Sequence, residues 1–167
     1  MDKKQKIVIA VIGGLIAAAL ITLVVLLLAR DSMAKVGEFV APPFDAEAKA
    51  GEPAGLDESL GYKRMDIENA FSFAMCGKLF LKEGRVNAYF TNPEDNGVWL
   101  LVKVYDESGK KLLGQSGIIK NGEYVEKITL SDPPEKTAPV VFKIYSYEPE
   151  TYYSMGSASG KFTLNVQ

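Results

Sequence analysis

RVNAYFTNPEDNGVWLLVKVY, residues 85–105, is the stretch whose reading decides the fold. In Arg85 to Asn92, Val86, Ala88 and Phe90 fall on one face of an extended chain, while Arg85, Asn87, Tyr89 and Thr91 take the other. That two-residue period belongs to a half-buried strand. Asn92-Pro-Glu-Asp-Asn-Gly97 is turn chemistry, with proline fixing φ and Asn and Gly tolerating positive values. The strand pattern then resumes from Val98 to Tyr105, with Val98, Leu100, Val102 and Val104 on one face and Trp99, Leu101, Lys103 and Tyr105 on the other. The second face is also largely apolar, as in a central strand with a covered outer side, and Leu60 to Met65 is the expected cover. Left open, the same Trp/Tyr surface is a partner-binding face.

Outward from this hairpin, short apolar runs alternate with Asp106-Glu-Ser-Gly109, Asn121-Gly122 and Asp132-Pro-Pro134. Strands are expected at Ala70 to Leu81, Lys111 to Ser116, Glu123 to Leu130, Val140 to Tyr147 and Ser157 to Val166, besides the two above. With no helices between them, about seven strands predict an all-β domain over 62–167, an immunoglobulin-like antiparallel β-sandwich without the Cys–Trp–Cys signature. Asp66 to Met75 fits both periods. Ile67, Ala70, Phe71 and Ala74 form a helical stripe, yet Phe71, Phe73 and Met75 alternate, and the bracketing Gly77 and Gly84 favour a strand.

Before the domain, residues 30–61 are rich in Ala, Gly, Pro, Glu and Lys, with Pro42-Pro43, Gly51, Pro53 and Gly55 breaking any helical period, and read as a flexible stalk. Ile7 to Ala29 is an unbroken apolar run behind Lys3, Lys4 and Lys6. As a helix of roughly 23 residues it is about 34 Å long, enough to cross a hydrocarbon core of about 30 Å. It exceeds the roughly 7–15 residues of a secretory h-region, so a retained signal-anchor is expected over cleavage near Ala34. The lysine excess in front sets residues 1–6 in the cytoplasm and the rest outside the cell. Ala10, Gly14 and Ala18 repeat every fourth residue, a small-residue stripe along which two spans could pack into a homo-oligomer.

Composition removes whole function classes. The chain has no histidine, so the usual general base and most zinc sites are missing. Cys76 is the only cysteine, which excludes an intramolecular disulfide and reads as a small buried hydrophobe. From Asp31 onward fifteen Lys and Arg face twenty Asp and Glu, a balance that disfavours nucleic acid. Glu94, Asp95 and Asn96, with Glu148 or Glu150, offer oxygen ligands without the spacing of a calcium loop. Glu148 and Glu150 are turn residues with no cleft between them for glycoside hydrolysis. No cofactor and no enzymatic activity are expected.

The strongest local feature is the tyrosine-rich tip Tyr145-Ser-Tyr-Glu-Pro-Glu-Thr-Tyr-Tyr-Ser-Met-Gly156. Tyr145, Tyr147, Tyr152 and Tyr153 give either rigid contact area for recognition or rings folded back over a sheet edge. The blocks TNPEDNGVWL, VYDESGK, GQSGIIKNGEYV and YSYEPETYYSMGS resemble a family of small envelope proteins of Gram-positive, clostridia-like bacteria. That resemblance, over about Ile67 to Val166, implies one N-terminal span and an extracellular β-sandwich, and carries no catalytic residues. The functional expectation is a membrane-anchored binding or scaffold module that contacts an envelope protein, with Trp99, Tyr105, Tyr145, Tyr147, Tyr152 and Tyr153 at the contact. The alternative is a cell-wall glycan module that stacks sugars on the same rings.

Overall fold

The computed structural model describes Asp2 and residues 40–167. The span expected at 7–29, its Ala10, Gly14 and Ala18 stripe and the first part of the stalk lie outside these residues; among those described, no helix is long and apolar enough to cross a membrane. Ala41–Gln167 is one compact unit, and it is all-β. Its strands are β1 (Lys49–Ala50), β2 (Tyr62–Ile67), β3 (Phe71–Cys76), β4 (Leu79–Lys82), β5 (Arg85–Asn92), β6 (Trp99–Asp106), β7 (Leu112–Gln115), β8 (Glu123–Thr129), β9 (Ala138–Tyr147) and β10 (Ser154–Val166). The only helical element among the described residues is a 3-10 turn at Glu58–Leu60, capped by the Asp57 carboxylate and ended by Gly61 at φ 62°.

The strands run in the order β1-β8-β5-β4-β10-β9-β6-β7, and the β2–β3 hairpin joins through β3 to β5. All pairs are antiparallel except β4 with β10, whose register is Leu79 opposite Leu164. The expectation of wholly antiparallel pairing therefore fails at one ladder. The sheet curls until its ends meet, because Gly114 of β7 bridges Leu130 just past β8, and the Ser131 amide donates to the Leu113 carbonyl at 2.8 Å. A Cβ on Gly114 would stand 2.4 Å from the Thr129 carbonyl oxygen, so only glycine permits this approach.

Inside the curl, Val86, Ala88, Phe90, Leu100, Val102 and Val104 are buried, each on one face of its strand as the alternation required, and Phe142, Ile144 and Leu164 are buried with them. Phe73 stacks on Phe90 with centroids 5.6 Å apart, and Phe142 meets Phe162 edge-on at 5.2 Å. Cys76 is fully buried, and burial raises its thiol pKa.

Three expectations need correction. The strand expected over Ala70 to Leu81 is two strands, β3 and β4, broken at Gly77-Lys78 by backbone bonds from these amides to Gly61 and Leu60. Leu60 to Met65 does not cover β6: Tyr62–Ile67 pairs edge to edge with β3, register Tyr62 opposite Cys76. The later part of the stalk, from Ala41, belongs to the compact unit. There Phe44 bridges Ile118 in parallel, the Asp45 amide donates to the Ile118 carbonyl at 2.8 Å, and the Ile118 amide to the Pro43 carbonyl at 2.8 Å. Lys49–Ala50 is a short strand on β8.

Candidate functional site

β6 lies between β9 on one side and β7 with residues 116–119 on the other, so its outward side chains stand near the middle of a sheet face. The register sets them in cross-strand rows: Trp99 opposite Tyr147, Leu101 opposite Tyr145, Lys103 opposite Lys143, and Tyr105 opposite Val141. β10 extends the rows with Ser154, Ser157, Ser159 and Lys161. Four of the six residues expected at a contact, Trp99, Tyr105, Tyr145 and Tyr147, thus share one face, and all four are half-buried.

Trp99 is held between two rings. Phe44 of the docked N-terminal segment meets it edge-on at 5.0 Å, and Tyr152 from the β9–β10 tip does so at 5.4 Å. Lys120 lies 4.4 Å from the centroid of the Phe44 ring. Gly117 makes this docking possible: a Cβ there would stand 2.5 Å from both Asp45 Cα and its nitrogen. The Gly117 amide also donates to Asp45 Oδ2 at 2.8 Å.

The tip is a tight turn. The Glu148 amide donates to the Tyr153 carbonyl at 2.8 Å, the Thr151 hydroxyl bonds Glu148 Oε2 at 2.6 Å, and Glu150 and Tyr152 take positive φ. Tyr152 folds onto Trp99, whereas Tyr153 is 72% exposed and Met155 54% exposed. Of the adjacent pair, Tyr152 is thus folded back over the sheet and Tyr153 stands in solvent.

Lower on the face, two lysines and two tyrosines interlock. Lys103 Nζ lies 5.3 Å from the Tyr145 centroid, Lys143 Nζ 4.5 Å from that of Tyr105, and Lys143 also donates to the Gly109 carbonyl at 3.2 Å. Burial raises the pKa of Tyr105 above the usual tyrosine value, helped by its hydrogen bond with Tyr145. Burial does the same for Tyr147. Neither Lys143 nor Phe44 was singled out as functional from sequence. The outward position of Lys143 in an alternating strand was the available signal; for Phe44, an isolated aromatic in a Pro-rich stretch, there was almost none.

The oxygen ligands considered for calcium serve other ends. Asp95 takes a two-pronged ion pair from Arg64, at 3.1 and 2.8 Å, which holds its carboxyl below the usual range. Asn96 accepts from the Ser72 amide at 3.0 Å and donates to the Ser72 carbonyl and to Asn92 Oδ1. Asn92 is fully buried and donates to the Val98 and Ile119 carbonyls at 2.9 and 3.0 Å. These residues brace the 92–98 turn against β3. Among the described residues, no group of three or more acidic or cysteine side chains could hold a metal ion.

No protein-family model matches the chain, and no curated protein or solved structure matches it either. Residues 41–167 are an all-β domain with an aromatic and cationic sheet surface.

Proposed function

We propose that the chain is a membrane-anchored, non-enzymatic binding or scaffold module that makes protein–protein contacts outside the cell, as an accessory part of a larger assembly. Residues 7–29 are its retained anchor and 1–6 its cytoplasmic tip. The strand order supports an immunoglobulin-like sandwich, with β3-β5-β8 forming one layer, β4-β10-β9-β6-β7 the other, and β4 running parallel to β10. The observation that carries the functional reading is the continuity of Trp99, Tyr147 and Tyr152 with the exposed Tyr153 and Met155 at one end of the β6–β9 face. Tyrosine and methionine are enriched at interfaces because each supplies large contact area. Trp99 already has an aromatic ring edge-on at each of two sides, which favours a protein contact over a sugar stacked on the indole.

The test is purification of the full chain from membranes in mild detergent. A stoichiometric protein partner should be retained, and should be lost from Y153A/M155A, whose melting temperature stays within about 2 °C of wild type because both side chains are mostly in water. Equal retention by the variant overturns the assignment of the tip. Extraction of the chain by alkaline carbonate without detergent overturns the anchor, and retention by cell-wall glycan in place of protein overturns the partner class.

A further inference from the structure

The Lys103–Lys143 row is an unfavourable arrangement that the fold does not require. The two lysines are directly opposite on neighbouring strands, where like charges destabilise a sheet. The row is completed by Ser159 and Gln115, so it holds no carboxylate. Asp106, next to Tyr105, accepts from Ser108, Lys110 and Lys111 within its own turn, and Glu148, next to Tyr147, accepts from Thr151 within the tip. Among the described residues, the ion pairs involve Lys49, Arg64, Arg85 and Lys111, and neither Lys103 nor Lys143. Yet residues 41–167 carry eighteen Asp and Glu against fourteen Lys and Arg, so acidic side chains are abundant elsewhere on the unit. The rings of Tyr105 and Tyr145 sit beneath the two ammonium groups and hold them at the surface.

We propose that Lys103, Lys143, Tyr105 and Tyr145 form a carboxylate-reading site for an acidic stretch of a protein partner. This rests on the protein-contact reading above and names the chemistry of the partner. The charge complements an anion. The four residues are half-buried on a sheet face whose neighbouring Leu101 and Val141 are buried, and two cavities of about 480 and 470 Å³, lined by 50–52 with 91–94 and by 46–49 with Arg85, include none of them. An amphipathic sheet surface with half-buried tyrosines suits a protein chain, whose contact is broad, better than a sugar chain that needs a groove.

The experiment uses the full chain in neutral detergent with three probes: short poly-L-glutamate, polygalacturonate and inorganic phosphate. Wild type should bind poly-L-glutamate with an affinity that falls as salt rises, and K103M/K143M, which keeps the aliphatic stems, should bind about tenfold more weakly. The variant should melt no lower than wild type, since it removes a like-charge pair, so loss of binding is separated from loss of folding. Equal binding by wild type and variant, or no binding of poly-L-glutamate, overturns the site. Stronger lysine-dependent binding of polygalacturonate or phosphate overturns the choice of a protein partner. If K103M/K143M keeps the membrane partner that Y153A/M155A loses, this inference fails while the broader function stands.

Discussion

Replacing Gly117 by alanine tests whether the N-terminal segment belongs to the domain. The new Cβ would lie 2.5 Å from Asp45 Cα and nitrogen and 2.8 Å from the Phe44 carbonyl carbon, all backbone atoms that no rotamer change can clear. Residues 43–45 must therefore lift away. That breaks the hydrogen bonds Asp45 to Ile118, Ile118 to Pro43 and Gly117 to Asp45, and the Phe44–Trp99 contact. At about 1 kcal/mol net per hydrogen bond and about 1 kcal/mol for the aromatic pair, docking contributes about 4 kcal/mol. Part returns as regained chain entropy, so G117A should cost about 2–3 kcal/mol and lower the melting temperature by about 10 °C. Trp99 is the only tryptophan, so its emission reports this site alone, and it should shift to the red as Phe44 leaves. Hydrogen exchange at the Asp45 and Ile118 amides should accelerate in step. F44A alone should cost only about 1 kcal/mol and add little on top of G117A, because the segment is already undocked. Unchanged emission and amide protection in G117A would refute the reasoning.

Asn92→Ala strips the buried Val98 and Ile119 carbonyls of their side-chain donor and removes one of the two acceptors of Asn96, so denaturant titration should show a loss of about 2–4 kcal/mol. Glu83 and Gly84 both take positive φ in the two-residue β4–β5 turn, so Glu83→Asn should stabilise by about 0.5–1 kcal/mol, seen as a higher denaturation midpoint at unchanged slope. The Asp106 carboxyl lies below its usual range, chiefly because the Ser108 hydroxyl and the amide of Lys111 donate to it. A depressed carboxyl adds stability above its unfolded pKa and loses it as pH falls through the folded value, so Asp106→Asn should remove part of the acid destabilisation while melting lower at neutral pH. Identical acid limbs for the two proteins would count against that assignment.

Strand positions were legible in the sequence wherever one face was wet. β5 sits close to its expected range because the alternation of Val86, Ala88 and Phe90 leaves only one register that buries them, while β6 and β9, which also bury Leu101 and Val141 on their other faces, were placed by the turn residues that bound them. The six consecutive buried residues of β3 blurred that signal, and the strand expected there rested on the bracketing Gly77 and Gly84. Long-range choices were invisible for another reason. Pairing of β10 with β4, and docking of Phe44 on Ile118, depend on bare backbone at Gly117 and on directions set by the whole sheet, which no local period encodes. Of the candidate face, the aromatic residues could be named from composition. The facing of Lys103 with Lys143 required the β6–β9 register, and the split between a covered Tyr152 and an exposed Tyr153 required the turn.

The position of β10 has a consequence for biogenesis. It follows every other strand in sequence, yet it sits inside the sheet with β4 on one flank and β9 on the other. During synthesis both flanks stay ragged until Ser154–Val166 has emerged, and the ladder from β4 to β9 then forms in one late, long-range step. A polypeptide arranged this way remains threadable for almost its whole length and sets only when its final strand arrives.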